Sequence, residues 1–176
     1  MNNKIATNYQ IVNTSIEDLP FIYGLFEEAI AYIKRKGFIG WNSYDKKFLQ
    51  LDIENKLQFK IVTENEILCI FSICFRDAFI WRERENGDAI YLHRIVVNPV
   101  FKGQKQFEKI LSWIVELGNA KELKYIRMDT WADNPGIIEY YKSYGFQFFQ
   151  NYTTPDTPEL PGQHRNLKVA LLEMKL

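Results

Sequence analysis

The sequence predicts one α/β domain in which a mixed sheet is covered by helices on both faces. Two kinds of segment predict it. Short apolar runs rich in β-branched and aromatic residues, such as Ile67 to Arg76 and Ala89 to Val97, read as strands. Longer segments whose apolar residues recur every three or four positions read as helices, and the two kinds alternate along the chain. The size agrees: 176 residues, of which 47% are hydrophobic and 15% aromatic, suffice for one core, and residues 1–176 read as a single domain.

The elements follow in order. Tyr9 to Asn13 reads as a first strand. Thr14 or Ser15 followed by Glu17 and Asp18 is a helix entry with acidic residues in its first turn. Leu19, Ile22, Leu25, Phe26, Ala29, Ile30 and Ile33 then mark a helix up to Gly37. A linker holding Gly37, Gly40 and Trp41 leads to a shorter charged helix from Tyr44 to Asn55. Phe59 to Thr63 and Ile67 to Arg76 form a hairpin around Glu64-Asn65-Glu66. The stretch from Trp81 to Asp88 is charged and ends in the turn signal Asn86-Gly87. A strand from Ala89 to Val97 precedes a helix from Gln106 to Leu117 that Gly118 closes, and Lys124 to Trp131 is another strand. Asn134 is a good N-cap with Pro135 at the first helical position, and this helix runs to Tyr144 before Gly145. Phe146 to Tyr152 and Leu167 to Met174 are the last strands, separated by a loop with Pro155, Pro158, Pro161 and Gly162.

Charge and cysteine content remove several classes of function. Lys+Arg and Asp+Glu are both 22, and this neutral balance argues against nucleic acid as a partner. The amino terminus MNNKIATNYQ is polar and no apolar run reaches spanning length, so neither a signal peptide nor a membrane segment is expected. Cys69 and Cys74 lie an odd number of residues apart on one strand and therefore on opposite faces. They read as reduced structural thiols of a cytoplasmic protein. His93 and His164, with those cysteines, give no metal-ligand spacing, so no metal is expected.

The segment Tyr91 to Leu111, YLHRIVVNPVFKGQKQFEKIL, carries the strongest signal. A strand runs through Asn98-Pro99 into the basic turn Phe101-Lys102-Gly103-Gln104-Lys105, and a helix opens at once. Such a turn aims free backbone N–H groups and the positive end of a helix dipole at one point, a seat for a pyrophosphate.

This order of elements, with two local motifs, resembles the GCN5-related N-acetyltransferase (GNAT) family over nearly the whole chain. Val97-Asn98-Pro99-Val100-Phe101-Lys102 resembles the end of that family's cofactor strand and the start of its phosphate turn. In the segment Asn134 to Phe146, Asn134, Tyr141, Gly145 and Phe146 fall in the register of its second motif. The turn departs from the family pattern at two positions where glycine or alanine is usual: Lys105 and Phe107 stand there. The resemblance implies a central, mostly antiparallel sheet and acetyl-CoA as co-substrate. It implies transfer of an acetyl group to a primary amine of a small molecule or peptide, by direct attack in a ternary complex.

By the same resemblance, backbone groups of Ile95, Val96 and Val97 face the pantetheine arm, and one N–H of that strand serves as oxyanion donor. Lys102, Gly103, Gln104, Lys105, Gln106 and Phe107 form the pyrophosphate turn. Tyr141 is the candidate acid for the coenzyme A thiolate, or else a packed aromatic of an amphipathic helix. Asn134 caps its helix and is also a candidate cofactor contact. His93 lies near the position where relatives place a base, and the alternative is a hydrogen-bonded strand residue. His164 is read as an exposed loop residue, and Tyr140 and Tyr144 as surface or packing residues. Phe38, Trp41, Tyr44 and Trp81 are candidates for the acceptor wall. Asp77, Glu83 and Glu85 either attract a cationic amine or belong to a solvated charged hairpin. The altered turn keeps two alternatives open, a GNAT-fold binding or regulatory module without catalysis and an acyltransferase using a different acyl-CoA. The acceptor and the choice between monomer and homodimer are left open.

Overall fold

The computed structural model describes residues 8–176, and most of the polar amino terminus on which the signal-peptide reading rests lies outside them. Seven strands form one sheet: β1 (Gln10–Asn13), β2 (Gln58–Val62), β3 (Ile67–Cys74), β4 (Ala89–Val97), β5 (Tyr125–Trp131), β6 (Gln147–Thr153) and β7 (Lys168–Lys175). Their spatial order is β1-β2-β3-β4-β5-β7-β6, and every neighbouring pair is antiparallel except β4 and β5. The helices are α1 (Leu19–Lys36), α2 (Lys46–Glu54), a short α3 (Ala78–Trp81), α4 (Gln106–Ala120) and α5 (Pro135–Lys142).

Helix α1 buries Leu19, Ile22, Leu25 and Phe26, a stripe at helical spacing, and packs with Leu49 and Ile53 of α2 on Ile70 and Val96. Helix α4 buries Phe107, Ile110 and Ile114 on the other face, against Phe71, Ile90, Leu92 and Ile126. A third cluster, Ile80, Trp81, Tyr91, Val169 and Leu171, lies under α3. Cys69 belongs to the α4 side and Cys74 packs on the third cluster, as their odd spacing requires.

The structure corrects several boundaries. Helix α4 does not stop at Gly118 but continues to Ala120. A Cβ at Gly118 would stand 2.5 Å from Leu176 Cδ1, so the glycine makes room for the last residue of the chain. The region Trp81 to Asp88 is no solvated hairpin. Arg84 pairs with Glu173 at 2.9 Å, while Glu85 accepts from the amides of Asp77 (2.7 Å) and Gly87 (2.9 Å). Arg127, fully buried below it, donates to Glu173 (2.7 Å) and the Arg84 carbonyl (2.8 Å), with Trp81 stacked at 4.8 Å. Removing one partner would strand a buried charge, so this network holds α3 to the sheet.

Strand β4 carries the irregularity that makes the site. Ser72 of β3 faces His93 and Ile70 faces Val96, so β4 spends one residue more than its partner over that interval. Arg94 supplies the bulge, with a left-handed φ of 51°. Its guanidinium is held by Asp52 of α2. After the bulge, Ile95 and Val97 pack toward the α4 side, as Ile90 and Leu92 do before it, and Val96 packs under α1.

Candidate active site

Strands β4 and β5 pair only from Ala89–Tyr125 to Leu92–Met128. Beyond that point β4 continues along β3 and β5 along β7, and the two diverge. The gap opens a cleft of about 610 Å³ walled by Leu92–Val97 on one side and Met128–Trp131 on the other. Residues of helix α1 and of the turn before α4 also line it.

That turn keeps its donors free. The N–H groups of Gly103, Lys105, Gln106 and Phe107 make no hydrogen bond to any described residue. Gly103 (φ 80°) and Lys105 (φ 54°) are both left-handed, so Lys105 does not take an ordinary helical conformation but keeps the backbone shape a glycine would have. An L-residue pays about 1–2 kcal/mol for that conformation. The lysine side chains are already engaged: Lys102 Nζ bonds Tyr32 Oη of α1 at 2.8 Å, and Lys105 Nζ pairs with Glu108 at 3.0 Å. Phe107 turns into the core, against Tyr141 (5.0 Å between ring centres), Tyr144 (4.9 Å) and Phe146 (6.3 Å), and only borders the cleft.

Of the residues the sequence nominates, Ile95, Val96, Val97, Lys102, Gly103, Lys105, Gln106, Phe107, His93, Trp41 and Tyr141 line this cleft. Gln104 does not. Asn134 does not either, because its side chain is spent: Oδ1 accepts from the Ile137 amide (3.3 Å) and Nδ2 donates to the Ile39 carbonyl (3.1 Å). It thereby ties the linker before α2 to the start of α5. Phe38 is exposed against Tyr32. Trp81 is buried in the arginine network and stands apart from the cleft. Tyr44 stacks on Phe26 and donates to Glu27 at 2.8 Å.

His93 sits between two carboxylates that the sequence reading did not join to it. Its Nε2 lies 3.4 Å from Asp77 Oδ2 and its Nδ1 3.5 Å from Asp129 Oδ1, and all three side chains are about nine-tenths buried. Burial works against a charged imidazole, but the Cys74 sulfur and the Asp77 carboxylate outweigh it and hold the His93 pKa well above its usual value. Burial raises Asp129 and Asp77 raises it further, while His93 and Arg94 oppose them, leaving its pKa at about 6. Asp77, His93 and Asp129 also offer ligand atoms within 4.8 Å of one another, a grouping that histidine and cysteine spacing alone did not reveal. The carboxylates face opposite ring nitrogens, which suits an imidazole bridging two acids better than three ligands turned toward one ion.

His164 is buried, not exposed, and borders the cleft, because Leu160 and Pro161 anchor its loop in the core. Burial, with Arg94 and His93 nearby, pushes its pKa down to about 3, so it stays neutral. Tyr141 is buried, and its pKa is raised by that burial and by its neighbours, so it carries its proton at neutral pH. The cleft thus combines unpaired strand backbone, a cluster of free amides, a protonated phenol and a buried acid–imidazole–acid group. These are the means to hold a phosphorylated thioester and to move protons at its reacting end.

This is the architecture of an acyl-CoA N-acyltransferase. The chain is 24% identical over 155 residues to a Bacillus subtilis protein described as the uncharacterized N-acetyltransferase YesJ, covering 84% of this chain and 86% of that one. Among solved structures, a GNAT-family acetyltransferase of Listeria monocytogenes superposes with a TM-score of 0.76 at 20% identity, over 96% of this chain and 95% of that one. The yncA protein of Salmonella typhimurium, solved with acetyl-CoA, superposes at 0.65 and 14% identity, over 97% and 95%. No family profile matches the chain. In fold and in sequence the chain is thus similar to GNAT-family acetyltransferases. No helix among the described residues is long and apolar enough to cross a membrane.

Proposed function

We propose that this protein is an acetyl-CoA-dependent N-acetyltransferase that acts on a primary amine of a small molecule or peptide, as a single domain over residues 1–176. The observation that carries the reading is the divergence of β4 from β5 after Leu92–Met128, which leaves strand backbone facing a cleft that ends at four free amides. The pyrophosphate takes the amides of Gly103, Lys105, Gln106 and Phe107. The pantetheine arm pairs with Ile95, Val96 and Val97 as a further strand would. An N–H of that segment meets the oxyanion as the amine attacks the thioester carbonyl directly. Asp129 and His93 receive the amine proton, and Tyr141, kept protonated by burial, supplies one to the departing thiolate. Trp41, Trp131 and Asp129 give the cleft an aromatic and acidic lining that suits a cationic amine.

The two departures of the turn weigh less than the sequence alone implies. Lys105 reproduces the left-handed backbone of a glycine, and Phe107 is absorbed by the core. They do not favour a module without catalysis.

The test is thermal unfolding with and without acetyl-CoA. Ligand at a hundredfold its Kd adds about 2.7 kcal/mol, an upward shift of roughly 5–10 °C for a chain of this size. No shift up to millimolar acetyl-CoA would sink the reading.

A further inference from the structure

A second pocket, about 370 Å³, lies beside the first and is lined by Asp77, Cys74, Arg76, Phe79 and Glu159. The two pockets share His93, Arg94 and His164. Asp129 lines only the first and Asp77 only the second. The imidazole therefore stands in the partition, with Nδ1 toward the acid of one pocket and Nε2 toward the acid of the other.

Asp77 is placed for this contact at the expense of an ordinary one. It occupies the N-cap position of α3, where an aspartate normally accepts from the first free amides of its helix, yet its side chain makes no capping bond. The carboxylate turns to His93 instead, and Oδ2 has no other polar partner among the described residues. Glu85, accepting from the Asp77 amide at 2.7 Å, pins the backbone that holds it there. An acid so buried is costly unless it has a task.

We propose that Asp129, His93 and Asp77 form a proton relay that carries the proton released by the acceptor amine through the partition and into the second pocket. The inference rests on the acetyltransferase reading above. With cofactor and amine filling the first cleft, a proton taken there has no direct way to water. In the relay, His93 works in its neutral form with its one proton on Nε2, so that Asp129 accepts the proton from the attacking nitrogen and passes it to the free Nδ1. The imidazolium so formed gives its Nε2 proton to the Asp77 carboxylate, which releases it to water in the second pocket. One proton leaves the amine and one reaches solvent; Asp129 and Asp77 end as they began, and His93, left with its proton on Nδ1, regains the starting tautomer when the ring turns over between the two acids. The charged and titratable groups around the imidazole are Cys74 from β3, Arg94 from β4, Asp129 from β5, Asp77 before α3 and His164 from the loop between β6 and β7.

Asp77 is thus a positioning and proton-exit residue that touches neither the cofactor nor the amine, and Asp77→Asn isolates it. Turnover is followed by thiol release from acetyl-CoA with the fastest of three amines, spermidine, kanamycin and tyramine. The relay predicts that Asp77→Asn slows turnover by about tenfold or more, while the acetyl-CoA-induced thermal shift is unchanged. Added formate, small enough for the second pocket, restores the rate in proportion to its concentration, and Asp77→Glu retains activity without formate. The relay works from the neutral imidazole, so turnover rises with pH through the His93 pKa, and nitrogen NMR reads that pKa independently: raised in the parent and lower in Asp77→Asn. Unchanged turnover in Asp77→Asn, a loss that formate does not repair, or a His93 pKa that Asp77→Asn does not lower would each overturn the relay and leave the acetyltransferase reading standing. No thiol release from the parent with all three amines would overturn both together.

Discussion

Phe107→Ala separates two fates for a bulky residue in a phosphate turn. In the structure the ring is 4% exposed and meets Tyr141 and Tyr144 edge-on at 5.0 and 4.9 Å. Truncating a buried phenylalanine costs about 3–5 kcal/mol, and each edge-on pair accounts for about 0.5–1.5 kcal/mol of it. A loss of about 4 kcal/mol lowers Tm by about 8–16 °C in a domain of this length. Urea unfolding of parent and variant measures it, the midpoint falling while the slope stays the same. The acetyl-CoA-induced shift should persist, because the amide that faces the phosphate belongs to the backbone. A loss below about 1 kcal/mol, together with tighter acetyl-CoA binding, would refute the reasoning, because the ring would then stand in the cleft and obstruct the cofactor.

Two further outcomes follow from the same site. Tyr141→Phe should lower kcat about a hundredfold and leave the acetyl-CoA-induced thermal shift within error, and unchanged kcat would remove Tyr141 from the mechanism. Asp129 has a folded pKa of about 6 against an ordinary 3.8, so between those values the folded protein holds the proton more tightly than the unfolded chain. Its contribution is present below pH 3.8 and lost as pH rises through 6. Asp129→Asn lacks that loss, so from pH 4 to pH 7 the variant should gain on the parent by roughly 2 kcal/mol in urea unfolding. A constant gap would show that Asp129 ionises normally.

The fold was largely legible because its periodicities are local. The seven strands and four longer helices are visible in residues such as Leu19, Ile22 and Phe26, or Phe107, Ile110 and Ile114. What escaped depends on residues far apart in the chain. Helix α3, four residues long within a charged run, has too few positions to show a period. Gly118 reads as a helix stop, and the reason it is not one lies in Leu176. His164 reads as exposed because prolines surround it, whereas Leu160 and Pro161 carry it inward. The signal for Asp129 was present as a carboxylate inside an otherwise strand-like run, Tyr125 to Trp131, where an unpaired charge is costly. Its partner could not be named, because Asp77 reaches His93 only through the fold.

The bulge at Arg94 also decides the sidedness of the reaction. In an unbroken strand His93, Ile95 and Val97 would all project from the same surface. With one residue inserted, His93 looks toward Cys74 and the α3 side, and Ile95 and Val97 look toward α4. On the proposed function, a single strand thus turns its imidazole toward the acids on one side of the sheet and its apolar wall toward the other, while its backbone between them meets the cofactor. Deleting residue 94 would remove no reactive group, yet it would turn both halves of the site to the same side.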